Sequence, residues 1–173
     1  MRIGTGFTDS RCQWILASVP IMDNNFDFFV GTWTSRQRRL RAILADSDEW
    51  YEFEGVTRCW SVMDGAGNVD EVTFPSLGYS GVTLRLYDKE TELWSLYWAS
   101  SRTGISLPAC VGRFGADGTG VFTAEEQWDG RDITVRFRWH EITATSARWE
   151  QAFSIDGGTT WETNWTSDFT RTG

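Results

Sequence analysis

Three polar side chains stand on strand faces whose other members are apolar, and they are the first candidates for chemistry. In "VFTAEEQW", residues 121–128, Glu126 shares a face with Phe122, Ala124 and Trp128. Asp70 shares one with Asn68, Val72 and Phe74, although a one-residue bulge would turn it outward. Gln151 lies between Trp149 and Phe153. Burying such groups costs free energy unless they are hydrogen-bonded. Desolvation would raise the pKa of Glu126, so that it could serve as a general acid or base near neutral pH, and Glu126 or Asp70 could assist proton transfer. The structural alternative for Glu126 is an ion pair with Arg113 or Arg136 at the end of the fold. Gln151 would orient a ligand carbonyl or bond tryptophan indoles. Arg102, in "ASSRTG", would hold an anionic ligand group or lie in a solvated loop.

Other chemistries lack their residues. His140 is the single histidine and shares a face with Arg136 and Arg138, which points it to solvent. One histidine builds neither a zinc site nor a choice of triads, which disfavours metal and hydrolase chemistry. No glycine-rich phosphate loop precedes a helix, so a nucleotide cofactor is not expected, and no cofactor is expected at all.

The elements that must position these groups are short strands. "RDITVRFRWHE", 131–141, puts Ile133, Val135, Phe137 and Trp139 on one face and charged residues on the other, the pattern of a half-buried antiparallel strand. "GVTLRLYD" at 81–88 aligns Val82, Leu84 and Leu86, and "ELWSLYWA" at 92–99 aligns Trp94, Leu96 and Trp98. "ARWEQAFSI" at 147–155 aligns Ala147, Trp149, Phe153 and Ile155, and "WETNWTSDF" at 161–169 aligns Trp161, Trp165 and Phe169. "MDGAGN", "YDKET", "GADGTG" and "WDGR" carry the turn residues that tight hairpins need. "RRLRAILAD" at 38–46 and "IMDNNFDF" at 21–28 each predict one or two helical turns. "SIDGGTTW", 154–161, matches the Asp-box pattern of sialidase propellers once, and predicts a hairpin turn held by Asp156.

The 173 residues suit one domain with its own core. The 11 tryptophans call for thick aromatic layers or a cavity with flat walls. A net charge of −8 repels nucleic acid. The cluster Arg36, Arg38, Arg39 and Arg41 predicts a solvated strand face, with an anion-attracting rim beside a pocket as the sharper reading. Cys12, Cys59 and Cys110 form no CxxC and predict buried free thiols in a reducing, cytoplasmic setting. No stretch has transmembrane length and "WILASVPIM" lacks secretory flanks, so no membrane partner is expected.

"FDFFVGTW", 26–33, passes from a short helical segment through Gly-x-Trp into the first strand. This order resembles the start of a lipocalin or calycin barrel. The resemblance implies that Trp33 closes one end with Arg171, in "DFTRTG", packed across it. Longer pieces, "DEWYEFEG", "GNVDE", "LYDKETELWSLYW", "VGRF" and "ITATSARWEQAFSIDGGTTWETNW", resemble a family of uncharacterised bacterial calycin-like proteins over about residues 26–171. It carries over no catalytic residue.

Together these readings predict an all-β fold. It is a single antiparallel up-and-down barrel of about 8–10 strands, with residues 26–173 as the barrel and 1–25 as an extension or lid. The expected function is binding of an apolar or aromatic small molecule, lined by Leu84, Trp94, Trp98, Arg102, Phe137, Trp149, Gln151 and Trp165. The alternatives are a cofactor-free cyclase or isomerase using Glu126 and Asp70, and a structural protein with a filled core. The sequence leaves a homodimer open.

Overall fold

Period-two alternation is realised along nearly the whole described chain. The computed structural model describes residues 26–173; the proposed lid and extension, residues 1–25, fall outside them. A single 3-10 turn, Phe26–Phe29, leads into β1 (Gly31–Leu40). Then follow β2 (Trp50–Val62), β3 (Gly67–Phe74), β4 (Tyr79–Asp88) and β5 (Leu93–Ser100). After the two-residue β6 (Gly104–Ile105) come β7 (Cys110–Phe114), β8 (Gly120–Trp128), β9 (Arg131–His140), β10 (Ser146–Ser154) and β11 (Glu162–Arg171).

All pairings are antiparallel, in the order β4-β3-β2-β1-β11-β10-β9-β8-β7-β5-β6, and β4 also pairs with β5. That last ladder shuts the sheet on itself. Ten strands form the wall, and β6 adds a short flap on β5. Closure removes the open edges that would otherwise template aggregation. Hairpins follow their turn chemistry: Asp129 and Gly130 both have positive φ, +50° and +74°, as a two-residue loop between β8 and β9 requires.

The two ends of the barrel differ. At one end Phe26 and Phe29 enter the bore and pack on Trp94, Phe122, Trp139 and Phe169, with ring centroids 4.8–5.4 Å apart. Trp33 stacks on Phe29 at 5.3 Å and donates its indole N–H to the Phe29 carbonyl at 2.8 Å. Arg171 covers Trp33 at 4.2 Å and donates to the carbonyls of Val30 (2.7 Å), Ala144 (2.8 Å) and Phe28. The expected Trp33–Arg171 closure is therefore present, and the 3-10 turn is the plug it locks. A second, smaller apolar cluster, around Phe53, Val72, Phe74 and Trp165, lies towards the opposite end.

Several sequence expectations need correction. In β4 the inward residues are Gly81, Thr83 and Arg85, while Val82, Leu84 and Leu86 face out. The register follows from β3: Thr83 stands opposite Asp70, whose carboxylate takes Arg85. Gly81 lies under the Trp98 ring, where a Cβ would come within 2.0 Å of it. Residues 38–46 form no helix, because β1 pairs with β2 as far as Leu40–Trp50 and positive φ follows at Leu44 and Asp46. Ile155 is 59% exposed, since the strand ends at Ser154. Trp161 leaves the inward face and receives the Arg136 guanidinium at 4.1 Å. The Asp156 turn is as expected: its carboxylate accepts from the backbone N–H of Thr159 (3.0 Å) and Thr160 (2.9 Å) and from the hydroxyls of Thr160 (2.6 Å) and Ser154 (2.7 Å). These bonds hold its pKa down to about 2.

An aromatic cavity with polar ends as the candidate functional site

Inward residues above the plug enclose two adjoining chambers. The inner one has a volume of about 80 Å³ and the outer one about 290 Å³. Leu96, Trp98, Phe137, Gln151 and Trp165 line both, so they form the waist between them.

The wall is built from indoles held at right angles. Trp165 stands edge-on to Trp149 (5.5 Å, 84°) and to Trp98 (6.2 Å, 89°). Its position is fixed from behind, because its indole N–H donates to Gln37 Oε1 at 2.7 Å. Ser167 donates to the same oxygen at 2.5 Å, and Gln37 Nε2 donates to Ser35 Oγ at 2.7 Å. A buried side chain with its polar atoms satisfied in this way cannot swing out without losing several bonds. A β-bulge between Gln151 and Ala152 lets β11 place Asn164 and Trp165 side by side in the interior. Gln151 Nε2 then donates to Asn164 Oδ1 at 2.8 Å, so Gln151 is anchored and not a loose ligand hook.

The floor of the inner chamber is polar. Asp70 and Arg85, on neighbouring strands, form a buried ion pair of 2.5 Å. Arg85 also donates to Asn68 Oδ1 at 3.0 Å, and Asn68 donates to the Phe26 carbonyl at 3.3 Å, which ties the floor to the plug. The guanidinium sits over the rings of Phe26, Phe29 and Trp139 at 5.0–5.5 Å. Burial pushes the Asp70 carboxyl above its ordinary value, against the pull of Arg85. Thr57 Oγ1, Arg85 Nε and Trp139 Nε1 border this floor and, among the described residues, have no hydrogen-bond partner.

The outer chamber reaches the surface beside the exposed Arg102, Thr103 and Pro108. Arg39, Tyr79 and Glu126 also line it. Glu126 is half-buried on β8 and, among the described residues, makes no ion pair; Arg136 is engaged with Trp161 instead. Desolvation raises its pKa.

The residues singled out from the sequence thus divide. Trp98, Phe137, Trp149, Gln151, Trp165 and Asp70 line the inner chamber, and Arg102 and Glu126 the outer one. Asp70 and Glu126 lie on different chambers, so the structure does not bring the two carboxyls together. Leu84 faces outward, because Arg85 takes the inward position. Trp94 faces inward but at the plugged end, on Phe26 at 5.2 Å, and lines neither chamber. His140 is on the outer face yet only 12% exposed, between Glu141 and Glu150 at 3.4 Å each. Sequence reasoning passed over Gln37, Thr57, Tyr79, Thr83 and Arg85 and left Arg39 on a solvated face. Parity counted from Trp33 would have placed Ser35, Gln37 and Arg39 inside. Among the described residues no helix is long and apolar enough to cross a membrane, and no His, Cys, Asp and Glu cluster is placed for a metal.

Fold and cavity define a class: a closed antiparallel barrel of lipocalin-like form with an aromatic interior. Among solved structures, the chain is similar to the S-type phycobiliprotein lyase CPES from Guillardia theta. The TM-score is 0.55 at 16% identity, over 86% of this chain and 90% of that one. At that identity the likeness speaks for the fold alone. No family model matches the chain, and no curated protein matches it. The resemblance to the uncharacterised bacterial family therefore rests on the quoted stretches.

Proposed function

We propose that the barrel binds an apolar or aromatic small molecule in its interior. The observation that carries this reading is the cavity: an indole-walled passage runs from the Asp70–Arg85 floor through the Trp98–Trp165 waist to the surface. Concave sites with apolar walls and a few placed polar groups are the usual form of small-molecule sites. A filled-core structural role fits less well, because the side chains of the described residues leave the two chambers in the bore. The test is titration with the neutral dye N-phenyl-1-naphthylamine, reading dye emission and quenching of tryptophan fluorescence. Saturable binding is expected, and it should be lost in Leu96→Phe, which narrows the waist. Absence of saturable binding by this dye and by a panel of aromatic ketones and acids defeats the reading.

Glu126 favours a second reading, a cofactor-free cyclase or isomerase. A half-buried carboxyl with raised pKa and no ion-pair partner among the described residues suits proton transfer at a bound carbonyl compound. The measurable step is deuterium exchange at the carbon next to the carbonyl of a bound aromatic ketone. Wild type should accelerate it and Glu126→Gln should not; equal rates remove this reading.

A further inference from the structure

Resting on the proposed binding function, we propose that the guest is an anionic aromatic compound whose carboxylate or sulfonate end lies at the mouth, between Arg39 and Arg102.

Strand parity sends the arginines of β1 to different places. Arg36 and Arg38 face outward and share Glu52, at 2.8 and 3.4 Å. Arg39 continues the inward series Trp33, Ser35 and Gln37 and lines the outer chamber. Its guanidinium lies 4.6 Å over the Trp165 ring, and Tyr79 lines the same chamber. Arg102 comes from the loop after β5 and lies 4.3 Å over the Tyr79 ring, donating to the Leu77 carbonyl. Each cation is thus seated on an aromatic ring of the chamber wall, Arg39 on the waist indole Trp165 and Arg102 on Tyr79.

Among the described residues neither cation meets a carboxylate, although the chain has 24 acidic residues to 16 basic ones. The outward pair Arg36 and Arg38 did find a carboxylate on the next strand, so acids were within reach of this sheet. Each guanidinium has five N–H donors in a planar fork, and among the described residues the one hydrogen bond these two make is from Arg102 to the Leu77 carbonyl. That fork matches an oxyanion held edge-on. The one carboxylate on the chamber wall is Glu126, on β8, and it has no ion-pair partner among the described residues. A purely apolar guest would leave two fixed cations at its outer end without a counter-charge; an anionic end supplies it. The order from floor to surface is then a neutral ion pair, an aromatic waist and a cationic rim, which selects an amphipathic acid entering ring first.

Two dyes of one skeleton test this directly: 1-anilinonaphthalene-8-sulfonate and neutral N-phenyl-1-naphthylamine. On the full chain the sulfonate is expected to bind about tenfold tighter or more, despite the net charge of −8. Arg39→Gln with Arg102→Gln should erase that preference. Arg36→Gln with Arg38→Gln removes the same charge from the outer face and should leave the preference intact, which separates a local site from the general field. Equal affinity for the two dyes, or equal losses in the two double variants, overturns the inference while the binding function stands. Failure of both dyes to bind overturns the inference, and failure of the panel of aromatic ketones and acids as well overturns the binding function with it.

Discussion

The Arg85 guanidinium meets the Asp70 carboxylate at 2.5 Å across β3 and β4, with both side chains nearly sealed from water. A pair so placed is costly to break, because the surviving partner is left as a bare charge in an apolar bore. Asp70→Asn or Arg85→Met alone should lower unfolding free energy by about 3–5 kcal/mol. The double replacement Asp70→Leu, Arg85→Met should recover much of that loss. Urea unfolding of the three variants is the check; additive losses would show that the two residues are not acting as a pair.

Arg171 is the latch of the plugged end. It covers Trp33 and donates to three backbone carbonyls of the Phe28–Val30 and Ala144 segments. Arg171→Ala should cost roughly 2–4 kcal/mol, since charge-assisted bonds and ring contact vanish together. Amide hydrogen exchange should rise first at residues 28–33.

Glu126 gives stability a pH dependence of defined sign. Its folded pKa is raised above the ordinary value by desolvation. The folded state thus favours the protonated form: the contribution is complete below the ordinary pKa and is lost as pH rises through the folded one. Above that window the ionised carboxylate is a burden that Gln does not carry. Glu126→Gln should melt on the order of 2 °C above wild type at pH 8, and the two should converge near pH 4. A gap that widens in acid would contradict the assignment.

Cys59 and Cys110 are buried thiols whose pKa is pushed up to about 12 by burial. At pH 8 roughly one such thiol in ten thousand is a thiolate, so both should resist alkylation in the folded protein. Peptide mapping after iodoacetamide treatment, with and without urea, should find them labelled only when unfolded.

The wall was legible from sequence because alternation reports a face wherever one side of a strand is apolar. In β9, Ile133, Val135, Phe137 and Trp139 point inward as their spacing indicates. β4 misleads for the same reason. Its apolar members, Val82, Leu84 and Leu86, face outward, and the interior receives Thr83 and Arg85. What decides that register is a carboxylate on β3, a long-range contact that no local pattern carries. Trp94 marks another boundary: parity gives a residue's face but not its height along the bore, so a correctly inward tryptophan ended at the plug. Arg39 was recoverable by counting from Trp33, yet its neighbours Arg36, Arg38 and Arg41 made the whole run look like a solvated surface.

The Phe26–Phe29 turn stoppers one end of the bore. Among the described residues this leaves a blind alley with a single doorway. On the proposed binding function, a guest would back out along its inbound track, and the end that goes in first would stay deepest. Under the proposed anionic-guest reading, entry and exit would cross the same threshold at Arg39, Tyr79 and Arg102, so a change there would alter capture and escape together.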